Sequence, residues 1–111
     1  MDAASASDKA VMANPAWQRV FVESVTEALR PGAEGWADEG MALNLLWDFD
    51  PSEARCSITW WHGEHDANVP LVAVRRLVAA MNDVELQVWS DAGHLELYRR
   101  YEEMLAELLA R

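Results

Sequence analysis

Six side chains able to carry protons or bind metal, Asp91 among them, stand in two short stretches. "WHGEHDANVP" (Trp61–Pro70) holds His62, Glu64, His65 and Asp66, and "DAGH" ends at His94. An aspartate and a histidine brought together suit one task. The carboxylate accepts a hydrogen bond from one imidazole nitrogen, fixes the tautomer and stabilises the imidazolium, which leaves the other nitrogen to act as a general base. Simpler roles compete with this one. Asp66 would serve equally well as a turn residue capping a helix that starts near Pro70, and His94 as a capping or surface histidine. His62-x-x-His65 also has a metal-like spacing. On a loop it lacks the fixed geometry and supporting hydrogen bonds that ligands need, so no metal site is expected.

Those residues must be positioned by secondary structure. "CSITWWH" is β-rich and ends at Gly63, and "VELQVW" reads as a second strand. Between them "PLVAVRRLVAAM" places Leu71, Val74, Leu77, Val78 and Met81 on one helical stripe. After "SDAGH", "LELYRRYEEMLAELLAR" repeats Leu97, Tyr101, Met104, Leu105 and Leu108 at intervals of three and four. Strands joined by a helix lie parallel with a right-handed crossover. Loops at the carboxyl ends of such strands share one edge of the sheet, and Asp66 and His94 each follow a strand.

Upstream, "NPAWQRVFVESVTEALRPG" predicts a helix capped by Asn14, started by Pro15 and stopped by Pro31-Gly32. A shorter helix is expected over "GWADEGMALNLLWDF", weakened at Gly40. Residues 1–13 are small and polar and are expected to be flexible. Trp60 and Trp61 are neighbours on a strand and so point to opposite faces; burying both requires cover on both. Trp17, Trp36 and Trp47 suit either core packing or an apolar pocket, packing being the simpler use. Arg75-Arg76 and Arg99-Arg100 read as solvated helix faces.

The 111 residues suffice for one small domain, and about half of them are apolar. A net charge of −10 repels phosphate backbones and anionic lipid, so neither nucleic acid nor a membrane surface is an expected partner. No apolar run approaches the roughly 20 residues of a membrane span, and "MDAASASDKA" lacks the pattern of a signal peptide. The single cysteine, Cys56, cannot form an internal disulfide. A cytoplasmic location is the default expectation.

"WHGEHDANVP" followed by "VWSDAGHLELY" resembles the C-terminal half of α/β-hydrolase-fold enzymes. In that family the triad acid follows a strand in an HG-x-x-D-x-x-VP stretch, the histidine follows the last strand in a Gly-His pair, and the chain order is nucleophile, acid, histidine. The resemblance implies that Asp66 is the acid and His94 the base, with His62-Gly63, Val69-Pro70 and Gly93 matching the surrounding pattern. It further implies an incomplete α/β-hydrolase fold: a helical cap segment over residues 14–54, then a βαβα unit with parallel strands over residues 55–111. No cofactor is implied. The substrate would be a small molecule with an ester, amide or related bond.

The G-x-S-x-G elbow that carries the family's nucleophile is absent: none of Ser5, Ser7, Ser24, Ser52, Ser57 or Ser90 lies between glycines. Cys56 is a poor substitute. Six extended residues separate it from His62, about 20 Å at roughly 3.3 Å each, which puts it at the wrong edge of the sheet. Ser90 lies in the right loop but without elbow geometry. Two expectations follow. The chain is hydrolytic when completed by a nucleophile-bearing half, or it is an inactive truncated hydrolase that acts as a homo-oligomeric interaction module. Two strands alone leave bare edges, which favours a larger sheet or a complementing chain in either case.

Overall fold

Asn14 behaves as its sequence context requires. In the computed structural model, which describes residues 4–110, its side-chain oxygen accepts the Ala16 N–H at 2.9 Å and starts helix α2 (Pro15–Ala28). That helix ends at a turn where Gly32 takes a φ of 121°, a left-handed conformation natural to glycine. The next helix, α3 (Glu34–Asn44), stops well short of the Phe49 expected from the sequence. The Asn44 side chain donates to the Gly40 carbonyl at 2.7 Å, competing with the backbone for that acceptor. The chain then turns extended at Leu45, and Trp47 stacks on Phe49 with ring centroids 5.1 Å apart.

Residues read as flexible are instead helical over Ala6–Ala13, here α1; residues 1–3 of that stretch lie outside the described residues. Ser5 caps α1 by accepting the Asp8 N–H at 3.1 Å. Asp8 and Val11 are buried, so α1 is docked by tertiary contacts that its polar composition does not announce.

The second half forms β1 (Ile58–Gly63), α4 (Leu71–Ala79), β2 (Val84–Trp89), a short 3₁₀ turn (His94–Glu96) and α5 (Leu97–Leu109). The strands pair in parallel from Ile58 opposite Val84 to Gly63 opposite Trp89. The chain is thus mixed α/β, with five α-helices and a two-stranded parallel sheet among the described residues. The loops beyond the strands are tied together as well. The Glu64 N–H donates to Trp89 O and the His65 N–H to Ala92 O, both at 2.9 Å.

Burial is sparse. Val11, Val74 and Ala92 are the buried apolar residues among those described. The α5 stripe, built to pack, stays largely open: Leu97, Tyr101, Leu105 and Leu108 are all exposed. Two strands are too narrow to cover a helix of this length. What anchors α5 is polar. Glu96, 3% exposed, accepts from Arg100 at 3.0 Å and from Arg99 at 3.3 Å, and the Arg100 guanidinium lies 5.1 Å from the Trp89 ring. Arg99 is solvated as expected while still reaching Glu96; Arg100 is half-buried against Glu96 and Trp89 and departs from the solvated face expected of it. No helix among the described residues is long and apolar enough to cross a membrane.

Candidate active site

The register that sets Gly63 opposite Trp89 makes both strands end at one edge, and their loops converge there. Beyond β1 the chain turns tightly, with the Asp66 N–H donating to Gly63 O at 3.2 Å. The two oxygens of Asp66 then divide their work. Oδ1 accepts the backbone N–H groups of Asn68 and Val69, each at 2.8 Å, which shapes the turn into α4. Oδ2 accepts from His94 Nδ1 at 2.9 Å. Asp66 is thus a turn residue and a histidine partner at once.

A carboxylate can only accept, so His94 carries its proton on Nδ1 toward Asp66. In the neutral ring Nε2, on the far side, keeps a lone pair. Asp66 is buried while the His94 side chain is 40% exposed, so the carboxylate is sheltered and the imidazole is accessible. Both residues border a hollow of about 180 Å³, along with Trp61, Trp89, Val69 and Leu97. No serine, threonine or cysteine lies among its lining residues. Cys56 is exposed before the opposite end of β1 and Ser90 is exposed as well. Glu64 and His65 face solvent. Among the described residues, no group of three or more His, Cys, Asp or Glu side chains is placed to hold a metal ion.

Further residues brace the pair: His62, Gly63 and Gly93 stand in the stretches singled out from the sequence, whereas Ser7 and Asp8 do not. His62 is buried and shares its Nε2 hydrogen bond with the Val69 carbonyl at 2.9 Å, bracing the Asp66 loop from the strand side; that nitrogen is also 3.7 Å from Asp66 Oδ2. Gly63 and Gly93 meet where the loops cross: a Cβ on Gly63 would collide with the backbone oxygens of Ala92 and Gly93. From the N-terminus, Ser7 Oγ accepts the Gly93 N–H at 2.7 Å, and Asp8 accepts the N–H groups of His94 at 3.2 Å and Leu95 at 2.7 Å. A helix-start pattern (Ser5 before Asp8) was the available signal for α1, but its docking partner lies 86 residues away.

The titration of Asp66 reflects a contest. Burial is the largest influence and pushes its carboxyl upward. The Val69 N–H, the hydrogen bond and charge of His94, and the Asn68 N–H together outweigh it, so the group titrates below the usual aspartate value. A carboxyl depressed in the folded state contributes stability that is fully present above its unfolded value, about 3.9, and is lost as pH falls through the folded value. Urea unfolding from pH 6 down to pH 2 should therefore show the wild type losing stability below about pH 4 relative to Asp66→Asn. Parallel profiles for the two proteins through that window would remove this role for Asp66.

Compared with family models, curated proteins and solved structures, the chain matches none.

Proposed function

We propose that this chain carries the acid and the base of an α/β-hydrolase, with Asp66 orienting His94 and His94 serving as general base. The observation that carries this reading is the 2.9 Å contact between Asp66 Oδ2 and His94 Nδ1, made beyond the carboxyl ends of two adjacent parallel strands. In this role Nε2 of His94 removes the proton from a hydroxyl or thiol as that group attacks an ester, amide or related carbonyl. The imidazolium then returns the proton to the leaving group, and a water activated in the same way releases the acyl group. Asp66 stays ionised throughout and stabilises the imidazolium. The nucleophile and the oxyanion donors come from a further segment of the hydrolase fold, the substrate is a small molecule, and no cofactor enters. The proposed setting is the cytoplasm, where Cys56 stays a free thiol.

The open surface supports completion by such a segment. A folded monomer of 12.5 kDa exposes about 6,200 Å², whereas this chain exposes 8583 Å². Its radius of gyration is 16.1 Å, against about 13 Å for a compact chain of this length. The Trp61 indole N–H is buried with no acceptor among the described residues, and such an orphan costs about 1–3 kcal/mol. The test is to read the coding sequence directly upstream for a strand–elbow–helix with G-x-S-x-G and to express it joined to this chain. Hydrolysis of an activated ester should appear and should require His94. No turnover, or turnover indifferent to His94→Ala, would end the hydrolase reading.

The same surface favours a second reading, in which copies of the chain associate as a non-catalytic interaction module. Phe21, Val25, Leu29 and Trp36 line an open cleft of about 750 Å³ between α2 and α3, and Trp36 is 70% exposed. Light scattering of the chain discriminates. A mass of twice 12.5 kDa or more, with tryptophan emission shifted to the blue on association, is the expected result of self-assembly. A monomer at all concentrations excludes it.

A further inference from the structure

The first backbone N–H groups of the 3₁₀ turn and of α5 receive no capping side chain from their own segment. A helix start leaves such donors orphaned unless an acceptor arrives from elsewhere. Here the acceptors arrive from α1. Ser7 Oγ takes the Gly93 N–H, and the Asp8 carboxylate spans the next two, at 3.2 Å to His94 and 2.7 Å to Leu95. Asp8 is itself 7% exposed, and its negative charge sits where the partial positive charge of the turn is concentrated. The fit is close, because a Cβ on Gly93 would displace Ser5 Oγ and the Asp8 carboxylate.

We propose that Asp8 is a positioning residue for His94: it holds the backbone of His94 while Asp66 holds the ring, so that two carboxylates far apart in the chain fix one imidazole. The inference rests on the reading of His94 as the base and extends it to a residue outside the acid–histidine pair. An imidazole attached to a free loop would sample other rotamers and lose its Nδ1 contact with Asp66. Pinning the amide N–H of the same residue removes that freedom at its root. Ser7 shares the task one residue earlier, and the Ser5 hydroxyl, 3.1 Å from Ser7 Oγ, orders the pair.

The test uses the 111-residue chain and reads the His94 ring directly. In the wild type, imidazole ¹⁵N spectra should show one tautomer, protonated at Nδ1. Asp8→Ala should convert this to a mixture and speed amide exchange at His94 and Leu95 by about tenfold or more, the scale of losing hydrogen bonds to a charged acceptor. Asp8→Asn keeps one oxygen and should protect one of the two amides, giving an intermediate ring spectrum and guarding against outright unfolding. Val11→Ala is the control for packing alone, since Val11 is buried on the same helix without touching those amides through a polar atom. It should lower Tm and leave the ring spectrum unchanged. A wild-type tautomer in both Asp8 variants overturns the proposal. So does an equal change in Val11→Ala at a matched loss of Tm, because the ring would then be reporting the docking of α1 and not Asp8. None of these readouts requires turnover, so failure of the hydrolase reading, judged by ester hydrolysis and His94→Ala, is seen separately.

Discussion

In the proposed hydrolase, Asp66→Asn should lower kcat by on the order of 10⁴-fold while leaving the fold in place. The geometry says why so small a change acts so strongly. Oδ1 of Asp66 accepts two backbone N–H groups, from Asn68 and Val69. An asparagine must keep its carbonyl oxygen there, because its NH₂ group cannot accept. The NH₂ therefore takes the place of Oδ2 and presents a donor to His94 Nδ1. Nδ1 then becomes the acceptor, the ring proton moves to Nε2, and the nitrogen that should remove a proton already carries one. Steady-state kinetics on an activated ester, with imidazole ¹⁵N shifts to read the tautomer, checks both halves of the prediction. Activity within tenfold of wild type, or an unchanged tautomer, would show that Asp66 does not orient the base. His94→Ala should abolish the same activity to a comparable degree.

Gly63→Ala should be the most damaging single-methyl change in the chain. Gly63 has no positive φ, so its need for glycine is one of space. Its missing Cβ is the gap through which the loop beyond β2 passes, and the atoms that a Cβ would strike are the backbone oxygens of Ala92 and Gly93. Backbone cannot rotate away as a side chain can. Relief requires the two loops to separate, which strains the His65 to Ala92 hydrogen bond and draws His94 away from Asp66. A loss of about 3 kcal/mol is expected, at the upper end of ordinary overpacking costs. Urea unfolding of the two proteins measures it, and a difference below about 0.5 kcal/mol, the scale of an ordinary surface change, would show that the loops yield freely. Gly93→Ala meets side chains of Ser5 and Asp8 instead, which can swing aside, so its cost should be smaller and should fall on the docking of α1.

Local patterns made the second half legible. Alternating β-rich runs, apolar spacing of three and four, and the punctuation at Gly63 and Pro70 are short-range signals, and the elements they specify formed close to where they were expected. Once the strands are parallel, the meeting of Asp66 and His94 follows from connectivity, because both residues trail strands that end at one edge. Long-range contacts were another matter. The sequence around Ser7 and Asp8 reads as a polar tail, and nothing local says that its oxygens will satisfy amides at Gly93, His94 and Leu95. Arg100 reads as a solvated residue until Glu96 is found buried beneath it. Helix α3 ends early, at Asn44, whose side chain bonds the Gly40 carbonyl in a contact that propensity does not register.

By itself the sequence determined the order and type of the strands and helices after residue 55, and the pairing of a carboxylate with an imidazole at the rim of the sheet. Tertiary structure alone decided which groups hold that pair in place: a helix from the N-terminus, a histidine bracing the turn, and two glycines where loops cross. The physical reason is range. Periodicity and turn chemistry act between residues a few positions apart, whereas the acceptor for an unpaired amide can come from any part of the chain that folding brings within about 3 Å.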